Sequence, residues 1–126
     1  MPARAYLVVG VLGLAVGLFV VIGSVQPTAA QSMSVDLSQG EFVFNPSEIT
    51  VPAGTITFNL TNTDTRRHNL VISVNGAETG GADANTVQPG DSLSWDVTLD
   101  QPGTYDFWCG VGNHRERGMV GKITVQ

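Results

Sequence analysis

The sequence predicts an all-β domain, a Greek-key β-sandwich or barrel of seven to eight short strands, preceded by an apolar N-terminal helix. Three observations carry this. From about residue 31 onward, apolar and polar residues alternate in short runs, the period of strands whose successive side chains face opposite ways. Gly, Pro, Asn and Ser close those runs at short intervals, supplying the backbone geometries that turns need. Beyond the first thirty residues no stretch keeps a helical period for three turns.

The N-terminal segment comes first. Tyr6 to Val25 is an uncharged run of Leu, Val, Ala, Gly, Phe and Ile behind Arg4, the arrangement of an export signal or a membrane anchor. About twenty apolar residues span a bilayer, whereas the core of a signal peptide runs roughly 7–15, so length argues for an anchor. Pro27-Thr28-Ala29-Ala30-Gln31 ends in small residues and offers a cleavage point after Ala30, so both alternatives stay open. Either way Arg4 stays inside, and the domain is expected outside the cytoplasm, in a periplasmic or other extracytoplasmic space. We therefore divide the chain into residues 1–30, signal or anchor with linker, and residues 31–126, one folded domain. No cysteine sits directly behind the apolar run, so lipid attachment at a processed N-terminal cysteine is not expected.

The strands follow in order. Val35 and Leu37 alternate with Asp36 and Ser38; Phe42 and Phe44 do likewise before an Asn45-Pro46-Ser47 turn. Ile49 and Val51 lead to Pro52-Ala53-Gly54, after which Ile56, Phe58 and Leu60 alternate with threonines and Asn59. A strand is expected from His68, with Leu70, Ile72 and Val74 on its inner face, and Asn75-Gly76 marks a tight turn. Ala77 to Gly90 is small and polar and predicts a surface loop with room for one helical turn. Leu93, Trp95, Val97 and Leu99 give the cleanest alternation, and Asp100-Gln101-Pro102-Gly103 turns the chain. Thr104 to Cys109 and Val120 to Gln126 complete the set.

Charge narrows the partners. All 11 acidic residues lie after residue 30, where the basic residues number 6 less Arg4, and the net charge is −5. With no basic stripe to neutralise phosphates, nucleic acid is not an expected partner. The single cysteine cannot form an internal disulfide, and a stray thiol in an oxidising compartment is a liability. A bound metal is the economical occupant.

Cys109, His114 and Met119 are spaced C-x4-H-x4-M in a glycine-rich loop, so a thiolate, an imidazole and a thioether can meet. Two imidazoles and a thiolate with a weak axial Met form the blue-copper electron-transfer site; the only other histidine is His68. Parity agrees: Cys109 shares a face with Tyr105 and Phe107, His68 with Leu70 and Ile72, and Met119 with Ile123 and Val125. His114 would close the site from outside. Taken singly, Cys109 reads as a buried structural thiol, His68 as a loop hydrogen-bonder, His114 as a solvated residue and Met119 as core filling; the joint spacing argues against all four. Zinc fits less well, since structural zinc sites rarely recruit methionine and no H-E-x-x-H is present. A Cys109/His114 nucleophile pair lacks an orienting acid and gives Met119 no role. Two histidines and one cysteine are too few for a binuclear copper centre, a multicopper oxidase or a nitrite reductase, so no enzyme is expected.

Together, Phe42-x-Phe44-x-Pro46-x-x-Ile49-x-Val51-x-Ala53-Gly54, Asn62, His68-Asn69, Tyr105-x-Phe107-x-Cys109, His114 and Gly118-Met119-x-Gly121-x-Ile123-x-Val125 resemble the cupredoxins, the small blue copper proteins. The resemblance covers nearly all of residues 31–126. It implies one copper ion with His68, Cys109 and His114 as equatorial ligands and Met119 as axial ligand, and Asn69 pinning the ligand loops near the sulfur. The four-and-four loop spacing is similar to that of the rusticyanin and sulfocyanin members. Gly112-Asn113 stands where many members carry proline before the second histidine, which bears on loop rigidity and potential. The implied function is one-electron transfer by a monomer, through the His114 edge, to redox partners such as a cytochrome or a membrane electron-transfer complex. The alternative is a copper delivery or storage module. Arg66, Arg67, Arg115 and Arg117 bracket both histidines; they are either solvated loop charges or a basic rim that steers an acidic partner. Trp95 and Trp108 read as packing residues, with Trp108 either covered by another strand or part of a partner patch.

Overall fold

The computed structural model describes residues 31–126; the expected N-terminal helix, with its anchor or signal role, lies outside the described residues. Among the described residues no helix is long and apolar enough to cross a membrane. The chain forms β1 (Gln31–Gly40), β2 (Val43–Asn45), β3 (Glu48–Val51), β4 (Gly54–Asn62), β5 (Val71–Val74), β6 (Ala77–Gly80), the one-turn helix α1 (Ala82–Asn85), β7 (Ser92–Leu99), β8 (Gly103–Trp108) and β9 (Val120–Val125).

Two sheets result, in the orders β2-β1-β4-β7 and β3-β9-β8-β5-β6. From β2 to β5, and again from β7 to β8, the chain passes from one sheet to the other at each step, so each sheet presents its alternate residues to the other. In β4, Ile56, Phe58 and Leu60 are fully buried while Thr57 and Asn59 between them are not. They meet Leu37, Val97 and Leu99 of their own sheet and Ile49, Val51, Ile72, Phe107, Ile123 and Val125 of the other. Each large side chain so buried contributes about 1.5–3 kcal/mol of transfer free energy as an upper estimate. The outward face of the four-stranded sheet carries polar cross-strand pairs. Thr57 Oγ1 donates to Asp96 Oδ1 at 2.6 Å, and Asn59 Nδ2 donates to Ser34 Oγ and Asp36 Oδ1 at 2.7 and 2.9 Å. The all-β sandwich is therefore as expected, with physical reasons for three differences of detail.

Asn75-Gly76 does turn the chain, with φ of 52° and 83°, and the tight turn pairs β5 with a ninth strand, β6, where a loop was expected. Ala77-Glu78-Thr79-Gly80 is an exposed edge strand with no apolar face, so periodicity could not reveal it. The helical turn allowed for in this stretch is α1. His68 does not open a strand; it forms an isolated bridge with Val87, and β5 begins three residues later. Phe42 is not a strand residue alternating with Phe44. It occupies the turn between β1 and β2 at φ 58°, a left-handed conformation that an aromatic residue adopts only where its surroundings hold it there.

Candidate metal centre

Register brings Cys109 and Met119 together. The last antiparallel pair of β8 and β9 is Trp108 with Val120, and just beyond it the Cys109 N–H donates to the Met119 carbonyl at 3.1 Å. The intervening loop folds back in turns: the His114 N–H donates to Val111 O at 3.0 Å and the Met119 N–H to His114 O at 3.1 Å. Gly118, at φ 102°, makes the reversal that a side chain would resist. His68 arrives from the remote segment. Its N–H and C=O both pair with Val87, at 3.1 and 2.8 Å, and buried Asn62 donates to Val87 O and Arg66 O at 2.9 and 2.7 Å.

The three donors converge. Cys109 Sγ lies 3.8 Å from His68 Nδ1 and 3.6 Å from His114 Nδ1, and all three donor atoms fall within 4.8 Å of one another. The imidazole centroids are 5.0 Å apart, tilted by 54°. Metal bonds of about 2.0 Å to nitrogen and about 2.3 Å to sulfur, set at trigonal angles, would separate N from S by about 3.7 Å. Both separations bracket that value, and soft sulfur with two imidazoles is the donor set that suits copper. His68 and Cys109 are fully buried and His114 nearly so. Met119, also fully buried, sits at the mouth of β9 beside Cys109.

Burial disfavours charge on two of the three donors. Burial pushes the Cys109 thiol above its ordinary 9.0, although the backbone N–H groups of Asn69 and Val111 oppose the shift by favouring thiolate. Burial, then the neighbouring His68, Arg66 and Arg117, hold His114 below its ordinary 6.5, against the pull of Asp64. A metal cation would reverse this balance at Cys109, since coordination requires thiolate, whereas the neutral imidazole it requires of His114 is the form burial already favours. Asn69 does pin the loops: its Oδ1 accepts the Gly110 N–H at 2.7 Å.

Two neighbours escaped sequence reasoning. Asp64 Oδ2 lies 2.9 Å from His68 Nε2, the nitrogen turned away from the sulfur. This hydrogen bond, followed by that from the Thr65 N–H, holds the Asp64 carboxyl below its ordinary 3.8 against the opposing effect of burial. Phe42 meets His114 edge-on with centroids 5.0 Å apart; the guanidinium carbons of Arg66 and Arg117 lie 5.5 and 4.8 Å from its ring centre. The only signal for Asp64 was its place four residues before a candidate ligand; Phe42 stood in the cupredoxin-like pattern, but as a strand residue, with nothing to place it beside His114. Three of the four arginines are not simply solvated: beside the contacts of Arg66 and Arg117 with Phe42, Arg66 also pairs with Glu41 at 3.7 Å, and Arg115 covers Trp108, its carbon 3.8 Å from the ring centre. The ligand loop, through Arg115, thus lies over Trp108. Arg66, Arg67, Pro89, Val111, Gly112 and His114 line a shallow cleft of about 450 Å³ at this pole.

Comparison with known proteins gives a consistent result. The family model described as copper binding proteins, plastocyanin/azurin family, matches residues 31–126. The chloroplastic plastocyanin of Hordeum vulgare is 36% identical over 122 residues, covering 90% of this chain and 72% of that protein. The structure of dithionite-reduced auracyanin from the photosynthetic bacterium Roseiflexus castenholzii is similar, with a TM-score of 0.62 and 28% identity over 78% of this chain and 99% of its own. A blue copper oxidase from Nitrosomonas europaea shares the fold alone, with a TM-score of 0.65 at 24% identity; the match covers 76% of this chain and 39% of that one.

Proposed function

We propose, since the chain belongs to the plastocyanin/azurin family of copper-binding proteins, the cupredoxins, that it is an electron carrier and not an enzyme. Cys109, His68 and His114 serve as equatorial ligands of one copper ion and Met119 as the axial one. The observation that carries this reading is the convergence of Cys109 Sγ and the two Nδ1 atoms at 3.6 and 3.8 Å on buried, hydrogen-bonded supports. Copper held there supplies a one-electron couple between Cu(I) and Cu(II). The chain's own part is to keep the donors still. The Cys109–Met119 backbone bond, the Asn69–Gly110 bond and the Val87 bridge fix them in a compromise geometry, so little rearranges when the charge changes. His114, nearest the cleft, is the exit toward a partner protein, a cytochrome or a membrane electron-transfer complex of respiration or photosynthesis. Arg66 and Arg117, held over Phe42 beside it, favour partners with acidic faces.

The domain boundary proposed is residues 1–30 and 31–126, with the domain working outside the cytoplasm as a monomer and the N-terminal segment serving as signal or anchor. Absorption spectroscopy and voltammetry on the copper-loaded protein test the function. An intense visible sulfur-to-copper band with a reversible one-electron wave is expected. Colourless, loosely held copper(I) that passes to an acceptor protein would replace electron transfer with delivery or storage.

A further inference from the structure

We propose, resting on the reading of this site as a copper centre, that Asp64 is its positioning residue: the carboxylate fixes the His68 tautomer and lowers the centre's reduction potential. The geometry is specific. His68 is fully buried, so its Nε2 has no solvent to turn to, and its partner at 2.9 Å is Asp64 Oδ2. An Nε2–H that donates to the carboxylate leaves the Nδ1 lone pair free, and Nδ1 is the atom 3.8 Å from Cys109 Sγ. A ring nitrogen's tautomer is set by the hydrogen bond the other nitrogen makes.

Asp64 is itself held. Its Oδ1 accepts the Thr65 N–H at 2.7 Å, and its own N–H donates to Asn62 Oδ1 at 2.8 Å. Asn62 in turn ties Arg66 O and Val87 O, the same Val87 whose backbone brackets His68. One short stretch, Asn62 to His68, therefore builds both the ligand and its support. The Asp64 side chain is 9% exposed, so its charge acts through poorly screened surroundings. A fixed negative charge one ring away from the ion favours Cu(II) over Cu(I). The centre has net charge +1 when oxidised and 0 when reduced, counting the ion and one thiolate; the carboxylate attracts the former more.

Two variants of the full-length protein separate charge from shape. Asp64→Asn keeps an acceptor oxygen for the Nε2–H but removes the charge; Asp64→Ala removes both. Outer-shell partners of ligating histidines are worth about 10–100-fold in metal affinity. If that loss falls on Cu(II), a tenfold change in the Cu(II)/Cu(I) affinity ratio raises the potential of Asp64→Asn by about 59 mV, the one-electron equivalent of tenfold. A ¹H–¹⁵N long-range NMR spectrum of the metal-free protein gives a second, independent reading. His68 should be wholly in the Nε2–H form in wild type and Asp64→Asn, and mixed in Asp64→Ala. A wild type with a blue band whose Asp64→Asn potential is unchanged, or whose His68 is Nδ1-protonated, would overturn this inference alone. A wild type that gives no blue band would overturn the proposed function and the inference with it.

Discussion

Gly121→Ala should show how closely the fold and the site are built together. A Cβ at Gly121 would lie 2.2 Å from Phe107 Cζ, 2.7 Å from Cε1 and 2.5 Å from the Ser47 carbonyl oxygen, where ordinary contact begins at 3.4 Å. Neither obstacle is free to move. The Phe107 ring is wedged edge-on against Phe44, centroids 5.1 Å apart, and Ser47 O accepts the Lys122 N–H at 2.9 Å where β3 meets β9. The methyl therefore needs about 1 Å of backbone movement in β9, two residues from Met119. Overpacking costs about 1–3 kcal/mol in general, and with backbone on one side and a locked ring on the other the upper end, about 3 kcal/mol, is expected. For a domain of this size that is roughly a 12–24 °C fall in Tm, read by calorimetry or urea unfolding of the metal-free protein. Gly118→Ala is the comparison: φ is 102° but nothing lies within 4 Å of the new Cβ, so only the conformational strain of a left-handed backbone, about 1–2 kcal/mol, applies. A Gly121→Ala protein within about 0.5 kcal/mol of wild type would refute the packing argument.

Three other outcomes are expected. Cys109→Ser should abolish the visible band of the copper-loaded protein while far-UV circular dichroism stays that of the β-sandwich, with metal-free stability lowered by about 1–2 kcal/mol; a retained band would place the sulfur ligand elsewhere. The metal-free protein should be most stable between about pH 6.5 and 9. Below that window the unfolded chain takes up the proton that buried His114 resists; above it the unfolded chain releases the thiol proton that buried Cys109 keeps. Stability therefore falls on both sides. A urea midpoint that does not drop between about pH 7.5 and pH 5, or between about pH 8.5 and pH 10, would contradict these directions. Gln39→Met should raise stability by about 1–3 kcal/mol, because the wholly buried Gln39 amide has no hydrogen-bond partner for its Oε1 or Nε2 among the described residues, and that loss is recovered when both atoms become apolar. Thermal unfolding measures it, and a destabilised variant would mean that the amide is satisfied in solution.

The periodic strands and the Cys109, His114 and Met119 spacing were legible because both are properties of neighbours along the chain. Ile56, Phe58 and Leu60 announce an inner face without reference to any other strand, and Cys109 and Met119, each one residue beyond a strand end, are buried as the alternation of β8 and β9 implies. His68 is buried too, but outside any strand and beside buried Asn69, so parity does not account for it. Phe42 misled for the same reason: period-two patterning continued through it, but the chain had already turned, and its φ of 58° answers to His114, Arg66 and Arg117 around it. The β6 strand hid because an exposed edge has no apolar face to announce.

The amino-acid order by itself determined that this is an alternating, turn-punctuated chain with one soft-donor loop and a single spare imidazole to complete it. The tertiary structure alone decided that His68 turns Nδ1 inward to Cys109 and Nε2 outward to Asp64, and that the ligand loop covers Trp108 with its own Arg115. The reason is physical. Burial and alternation depend on residues next to one another, whereas the direction of a ring nitrogen or a guanidinium depends on hydrogen-bonding and aromatic partners that meet only when the loops at one pole have closed.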